Sequence, residues 1–171
     1  MTTTSEIPYI LTVPTMEGEE TIVPTVRNLR EAAFMNEDFP AVITVGPSAN
    51  EVRFGHSNHL IQEFGDVAHE CSRAPKWHHI EKVTEFGLIN DGPLLVHCHA
   101  GMSRSTSSAI GVLLARGVDP ETAVSALASV HPRNRHFIPN PIVIDILSEM
   151  YDYPDLAKIV RKYEFYPKNW L

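Results

Sequence analysis

One short apolar run constrains the fold of this chain more than any other feature. Ala41-Val-Ile-Thr-Val45 shows no alternation of polar and apolar residues and is ended by Gly46-Pro47. The run is too short for a helix, and the missing alternation indicates a strand that is covered on both faces. Leu94-Leu-Val-His97 has the same character. Strands of this kind belong in a parallel sheet that lies between layers of helices.

The remaining segments alternate strand and helix patterns. Two further strands are predicted, at Tyr9–Val13 and His59–Phe64. Helices are predicted over residues 25–35, 76–88, 103–116, 120–130, 142–150 and 155–163. Residues 1–8 are polar and predicted to be loose, residues 16–21 and 65–75 are predicted loops, and an aromatic tail ends at Trp170. The alternation predicts an α/β fold with a largely parallel central sheet of four to five strands flanked by helices.

Size and charge limit the possible functions. A chain of 171 residues without an internal linker predicts one domain over residues 1–171. Its net charge of −7 argues against nucleic acid or an anionic membrane as a partner. No stretch approaches the ~20 apolar residues of a membrane span, and the N-terminus lacks a signal-peptide pattern. Two cysteines, Cys71 and Cys98, are too few for a disulfide framework, so we expect a cytoplasmic protein.

The segment from Leu94 to Thr106 carries the most functional information, because a strand there delivers Cys98 to a loop that enters a helix. Ligands of open α/β sheets bind at the carboxyl ends of the strands. A loop that runs into a helix N-terminus turns several backbone N–H groups toward one point, at the positive end of the helix dipole. We therefore predict a phosphate-binding loop formed by His99, Ala100, Gly101, Met102, Ser103 and Arg104.

The side chains of this loop predict phosphoryl transfer. Arg104 has a planar fork that can hold two phosphate oxygens at once. The helix N-terminus and this arginine stabilise a thiolate, so we expect Cys98 to be ionised at neutral pH and to act as the nucleophile. Ser105 can donate a hydrogen bond to the departing sulfur, and His97 can bond to the loop backbone and hold its shape. This set of groups requires neither a metal nor another cofactor.

The leaving oxygen also needs a proton, and the geometry of the sheet limits its source. Asp91 precedes the strand that carries Cys98 and therefore lies at the opposite edge of the sheet. Asp119 lies beyond a helix, roughly 20 Å from the loop. A helix joins the third and fourth predicted strands, so we expect them to be parallel and adjacent, with the loop after Phe64 at the same edge as Cys98. The acids of that region are Glu63, Asp66 and Glu70.

The stretch His97-Cys-His-Ala-Gly-Met-Ser-Arg-Ser105 resembles the signature loop of the protein tyrosine phosphatase superfamily, and it is most similar to the dual-specificity branch and its small bacterial relatives. Arg133-Asn-Arg-His-Phe-Ile-Pro-Asn140 is similar to a segment of that branch in which Pro-Asn opens a helix beside the loop, which implies a supporting role for Asn140. The resemblance implies the cysteine-phosphatase fold. It also implies that Asp66, 32 residues before Cys98, is the general acid.

The implied activity is that of a protein tyrosine or dual-specificity phosphatase, which acts on a phosphorylated protein or a small phosphomonoester through a phosphocysteine intermediate. One alternative is a phosphate-binding module with little turnover. Another is sulfur transfer, whose loops do not need the Ser-Arg-Ser ending, or arsenate reduction, whose pattern places the loop near the N-terminus. A metal site could be formed by His78, His79, His97 and His99, although their spacing is not typical of one. Cys71 could form a disulfide with Cys98, but a plain thiol is expected.

Overall fold

A computed structural model of the protein describes residues 10–168. Its strands are β1 (Thr12–Pro14), β2 (Glu20–Ile22), β3 (Thr25–Arg27), β4 (Ala41–Val45), β5 (His59–Gln62) and β6 (Leu94–His97). Its helices are α1 (Leu29–Met35), α2 (Trp77–Ile89), α3 (Arg104–Ala115), α4 (Pro120–Val130), α5 (Pro141–Tyr151) and α6 (Leu156–Tyr163), and a short 3-10 helix covers Asn36–Asp38. The predicted α/β class is confirmed. The loose residues 1–8, the start of the first predicted strand at Tyr9 and the tail at Trp170 lie outside the described residues.

Within the described part of the chain, the central sheet has four parallel strands in the order β3-β6-β4-β5, and β1 and β2 form a separate antiparallel pair. All residues of β4 and β6 are buried. The register places Arg27 and Thr44 on either side of His97, so three strands end together at one edge. The largely parallel sheet that the apolar runs predict is therefore confirmed.

The predicted order of the strands was wrong at one point. The third and fourth predicted strands, β5 and β6, are parallel but not adjacent, because β4 lies between them. The complete burial of β4 accords with its central position, whereas β5 is half-buried throughout and forms an edge. Since all four strands are parallel, the loops after β5 and β6 still open at the same edge of the sheet. The predicted strand to Phe64 is also shorter, since β5 ends at Gln62.

The region before β4 differs more from the prediction. Residues 20–22 and 25–27 are strands, where a loop and the start of a helix were predicted. The helix begins only at Leu29, because Asn28 caps it: Asn28 Oδ1 accepts from the Glu31 N–H at 2.8 Å, and Glu31 Oε1 accepts from the Asn28 N–H at 3.2 Å. Val26 is buried by the sheet rather than by a helix face. Strands of three residues are too short to show a period in the sequence.

Two apolar clusters cover the faces of the sheet. The larger combines the sheet with residues of α2 to α6, and the smaller consists of Ala32, Phe39, Val42 and Leu95 beneath α1. The helices of the second half agree with the prediction to within a few residues, and the Asp119 and Asn140 side chains cap α4 and α5 as predicted. No helix within residues 10–168 has the length and apolar character that crossing a membrane requires.

Candidate active site

The loop between β6 and α3 contains the predicted nucleophile. We call residues Cys98–Arg104 the cradle. β6 is buried on both faces, and it ends so that Cys98 is only 2% exposed. His99 and Ala100 are exposed at the mouth, whereas Gly101 and Ser103 are buried. Arg104 is the first residue of α3, so the cradle leads directly into a helix N-terminus. The predicted phosphate-binding residues are therefore contiguous parts of one concave loop.

The carbonyl groups of the cradle are bonded to surrounding elements. The His99 carbonyl accepts from the Leu29 N–H at 3.1 Å, and the Met102 carbonyl accepts from the Ile138 N–H at 3.2 Å. The Ser103 carbonyl accepts from the N–H groups of Asn140 and Ser107. In a planar trans peptide the N–H of the next residue points opposite to the carbonyl. Because these carbonyls point outward, the N–H groups that follow them point into the cradle, as binding of an anion requires.

Gly101 allows the cradle to pack closely against β3. Its φ is +71°, and a Cβ built on it would lie 2.9 Å from both the Arg27 carbonyl carbon and the Asn28 backbone nitrogen. A side chain at this position would combine the strain of the left-handed region with a contact to backbone that cannot move aside. Glycine at position 101 is therefore a requirement of the cradle's shape.

Two donors face the sulfur of Cys98. The Gly101 N–H donates to Cys98 Sγ at 3.1 Å, and Ser105 Oγ lies 3.1 Å from the same sulfur. The backbone N–H can only donate, and the serine hydroxyl is free to do the same. The sulfur thus lies where it can accept hydrogen bonds from the loop and from the first turn of α3.

The guanidinium group of Arg104 contacts the segments that follow β5 and β4. Its Nη1 donates to the Phe64 carbonyl at 2.9 Å. Gly46, at φ +103°, lies directly against the guanidinium, since a Cβ there would be 2.2 Å from Nη1. The Nε of Arg104 is buried and has no hydrogen-bond partner among the described residues. The position of Gly46 straight after the buried strand β4 was a sequence signal of close approach that we interpreted only as the end of a strand.

Asp66 is hydrogen-bonded to the cradle. The Ser103 hydroxyl donates to Asp66 Oδ1 at 2.7 Å, and Asn140 Nδ2 donates to the same oxygen at 2.9 Å. Asn140 Nδ2 also donates to the Val67 carbonyl at 3.0 Å, while its Oδ1 caps α5 by accepting from the N–H groups of residues 142 and 143. Asn140 is 1% exposed. The buried side chain of Asn140 thus joins the loop that carries Asp66 to α5.

The other two acids that the sequence left open have different partners. Glu63 Oε1 accepts from the Ala49 N–H at 3.0 Å, and Glu70 forms an ion pair with Lys76 at 2.9 Å. Asp66 is the one of the three for which the structure shows a hydrogen bond to the cradle. Asp119 caps α4, beyond the far end of α3.

A polar chain lies behind the cradle, and the sequence analysis missed its members Thr44 and His59. His97 Nδ1 lies 3.2 Å from the Cys98 carbonyl, which can only accept, so Nδ1 carries the proton. The Thr44 hydroxyl then donates to His97 Nε2 at 2.6 Å and accepts from His59 Nε2 at 2.7 Å. Burial lowers the pKa of His97 to about 4, so its ring is neutral near pH 7. Thr44, a hydroxyl inside an apolar run, was the available signal.

The sequence also suggested a metal site and a disulfide. Among residues 10–168 there is no group of three or more His, Cys, Asp or Glu side chains placed to hold a metal ion. The rings of His78 and His79 are tilted by 47° to each other with centroids 4.1 Å apart, and His79 packs against Phe64. Cys71 and Cys98 are both free thiols.

Comparison with solved structures identifies the fold. The chain resembles human DUSP28 with a TM-score of 0.58 at 18% identity, over 79% of this chain and 95% of that chain. It resembles DUSP15 with a TM-score of 0.57 at 18% identity, over 89% and 94% of the two chains. It also resembles the human tyrosine phosphatase-like serine/threonine/tyrosine-interacting protein, with a TM-score of 0.56 at 19% identity, over 76% and 91%. No protein-family model and no curated protein matches the sequence. The chain has the cysteine-phosphatase fold of the dual-specificity phosphatases.

Proposed function

We propose that this chain is a phosphomonoester hydrolase that works without a metal, through a phosphocysteine intermediate on Cys98. The observation that carries the proposal is the surroundings of Cys98 Sγ, which lies 3.1 Å from both the Gly101 nitrogen and Ser105 Oγ. The carbonyls of His99, Met102 and Ser103 are bonded to other segments, so the N–H groups that follow them can bind the oxygens of a phosphate placed at this sulfur.

In the first step, the Cys98 thiolate attacks phosphorus opposite the leaving oxygen. The S–P bond forms as the P–O bond to the leaving group breaks, and the leaving oxygen takes a proton from Asp66. Asp66 Oδ1 accepts two hydrogen bonds, from Ser103 and Asn140, so Oδ2 is the oxygen that carries the proton. Arg104 and the cradle N–H groups stabilise the charge that the equatorial oxygens hold in the transition state.

In the second step, water attacks the phosphocysteine. Asp66, now a carboxylate, takes a proton from the water as the new P–O bond forms and the S–P bond breaks. The Ser105 hydroxyl, 3.1 Å from Sγ, donates a hydrogen bond to the sulfur and stabilises the departing thiolate. Phosphate and the original thiolate result, and Asp66 again holds a proton, so the cycle closes without a further reactant.

The exposed residues at the mouth of the cradle support a proposal for the substrate class. His99 and Ala100 are exposed there, which leaves room for a phosphorylated side chain on a protein as well as for a small phosphomonoester. We propose phosphotyrosine, with phosphoserine or phosphothreonine as further substrates. Cytosolic thiols are kept reduced, which suits a nucleophilic thiolate, so the proposed location is the cytoplasm.

Hydrolysis of p-nitrophenyl phosphate in the presence of a chelator tests the proposal. We expect turnover that the chelator does not reduce, and a loss of at least about 10⁴-fold in Cys98→Ser, as for other enzymes that lose their nucleophile. Cys71→Ser is the matched control and should retain full activity. Calorimetric binding of phosphate completes the test. A wild-type protein that binds phosphate but does not turn over is a phosphate-binding module, and one that does neither has no functional cradle.

A further inference from the structure

A cavity separate from the cradle lies between β3 and the C-terminal end of α4. Its volume is about 270 Å³, close to the lower limit of about 300 Å³ for small-molecule sites. None of residues 98–104 lines it. Its apolar walls are formed by Leu11, Val23, Val26, Leu127, Val130 and Phe137. A cavity with such walls binds the apolar body of a ligand.

The polar end of the cavity is positively charged. Arg27 and His131 line it. Burial, together with the charges of Arg135, Arg27 and Arg133, lowers the pKa of His131 to about 4 despite the raising effect of its hydrogen bond to the His136 carbonyl. The nearest described counter-charge is Glu31, whose Oε1 lies 2.7 Å from Arg135 Nη2 and whose Oε2 lies 4.0 Å from Arg27 Nε. One carboxylate among three guanidinium groups leaves a positive local field in a chain whose net charge is −7.

The donors at this end can be assigned. His131 Nε2 lies 2.8 Å from the His136 carbonyl and must donate to it, so the neutral ring offers only an acceptor at Nδ1. Arg27 donates from Nη1 to the Val26 carbonyl at 2.7 Å and faces Glu31 through Nε. Within the described residues these contacts leave Nη2 of Arg27 for a ligand. An anion in the cavity would therefore bind at Arg27.

We propose that this cavity binds a small amphipathic anion, with a short alkyl chain among the apolar walls and its anionic head at Arg27. The site adjoins the cradle through Thr106, which lines the cavity and donates from Oγ1 to the Met102 and Ser103 carbonyls, both at 2.9 Å. The proposal does not depend on catalysis, because it concerns binding at residues that the phosphoryl-transfer steps do not use.

Octanoate is the probe, and its binding to the full-length protein can be followed by calorimetry and by the methyl NMR signals of Val23 and Leu127. We expect saturable binding that shifts these signals. Each added methylene from butanoate to octanoate should tighten binding roughly fourfold. Arg27→Met should weaken octanoate binding about tenfold, as loss of a charged hydrogen bond implies, and should leave octanol binding unchanged. Arg30→Met, at an exposed position of α1, is the matched control.

Two further measurements separate this cavity from the cradle. Val130 is 43% exposed at the rim, so Val130→Trp can block the entrance without disturbing the core and should abolish binding. Leu88→Trp, at another exposed helix position, should bind octanoate as tightly as the wild-type protein. Saturating phosphate should leave octanoate bound. The proposal is overturned if octanoate does not shift the methyl signals, if phosphate displaces it, or if Val130→Trp binds it as tightly as the wild-type protein.

Discussion

The cradle and the loop that carries Asp66 form one site but are held in different ways. The cradle is a contiguous stretch between a buried strand and a helix, and its carbonyls are bonded by backbone N–H groups of three different segments. The loop that carries Asp66 is irregular, and the Asp66 carboxylate is held by the side chains of Ser103 and Asn140. The proposed anion-binding half is thus built from backbone, whereas the proposed proton-donating half depends on a few side chains.

This difference has a consequence for substitutions. A change in the cradle disturbs binding of every phosphate ester, because the same N–H groups hold the phosphate whatever its leaving group. A change in the loop that carries Asp66 disturbs only reactions whose leaving oxygen needs a proton. The following predictions use this contrast.

Among the variants that test this contrast, Asp66→Asn has the largest expected effect. It should slow hydrolysis of phosphotyrosine by roughly 10²–10⁴-fold, the usual contribution of a positioned acid. Formation of the phosphocysteine from p-nitrophenyl phosphate should slow much less, because p-nitrophenolate leaves without a proton. Single-turnover kinetics on both substrates measure the ratio of the two rates in the variant and in the wild-type protein.

Glu63→Gln and Glu70→Gln are the controls for Asp66→Asn, since their carboxylates bond to Ala49 and Lys76. In both variants, the ratio of the rates with phosphotyrosine and with p-nitrophenyl phosphate should equal that of the wild-type protein. A leaving-group-dependent loss in Glu70→Gln, with none in Asp66→Asn, would move the acid role to Glu70.

Gly101→Ala tests the backbone half of the site. Its Cβ would meet the backbone of residues 27 and 28 at 2.9 Å, so the cradle must shift. We expect a loss of about 10²-fold in kcat/KM that is equal for both substrates, because a shift of about 1 Å has this cost. Gly18→Ala is the control, because Gly18 also has a positive φ, of +87°, but no atom within 4 Å of the built Cβ. It should destabilise the fold by about 1–2 kcal/mol and leave activity unchanged. If kcat/KM of Gly101→Ala fell by different factors for the two substrates, the cradle and the loop that carries Asp66 would not act separately.

Asn140 has two roles, as the cap of α5 and as a hydrogen-bond donor to Asp66, and two variants can separate them. Serine can replace its cap at α5 but lacks the Nδ2 that donates to Asp66, whereas alanine lacks both groups. We expect both variants to lose about tenfold in phosphotyrosine hydrolysis, equivalent to one hydrogen bond. Urea unfolding should show Asn140→Ala to be less stable than Asn140→Ser by about 1 kcal/mol. Equal stabilities would mean that the cap contributes little, and full activity in both would remove Asn140 from the support of Asp66.

Two buried histidines give stability a pH dependence. The folded-state pKa values of His97 and His131 are lowered by burial to about 4, from an ordinary value of 6.5. The unfolded chain therefore binds more protons between these values, and the free energy of unfolding falls as pH decreases from about 6.5 to 4. His131→Gln should reduce this slope by about 1 kcal/mol per pH unit. Urea unfolding at several pH values measures it, and an unchanged slope would show that His131 titrates normally.

The same contrast explains what could be predicted from the sequence. Cys98, Gly101 and Arg104 lie within seven consecutive residues between a strand and a helix, so their proximity follows from local structure. The fold class follows from the apolar run of β4 and the strand–helix alternation.

Other features depend on contacts between distant residues. Geometry narrowed the general acid only to Glu63, Asp66 and Glu70, and the resemblance alone pointed to Asp66. The contact that distinguishes Asp66 includes a bond to Asn140, 74 residues away. Gly46 and Thr44 meet Arg104 and His97 because β4 lies beside β6, and the sequence predicted β5 there instead. Pairing of short parallel strands is a long-range property that local patterns do not determine.

The central claim is that a phosphoryl group passes through Cys98, and trapping that intermediate tests it most directly. Asp66→Asn should react with p-nitrophenyl phosphate in a rapid first step and then stall, because the water that attacks the phosphocysteine has lost its base. Mixing enzyme and substrate should give a burst of one p-nitrophenolate per active site, with one phosphoryl group on the Cys98 peptide after acid quench and mass spectrometry. A phosphoryl group found on His97 or His99, or steady release of p-nitrophenolate from a protein that never carries phosphate, would contradict the account.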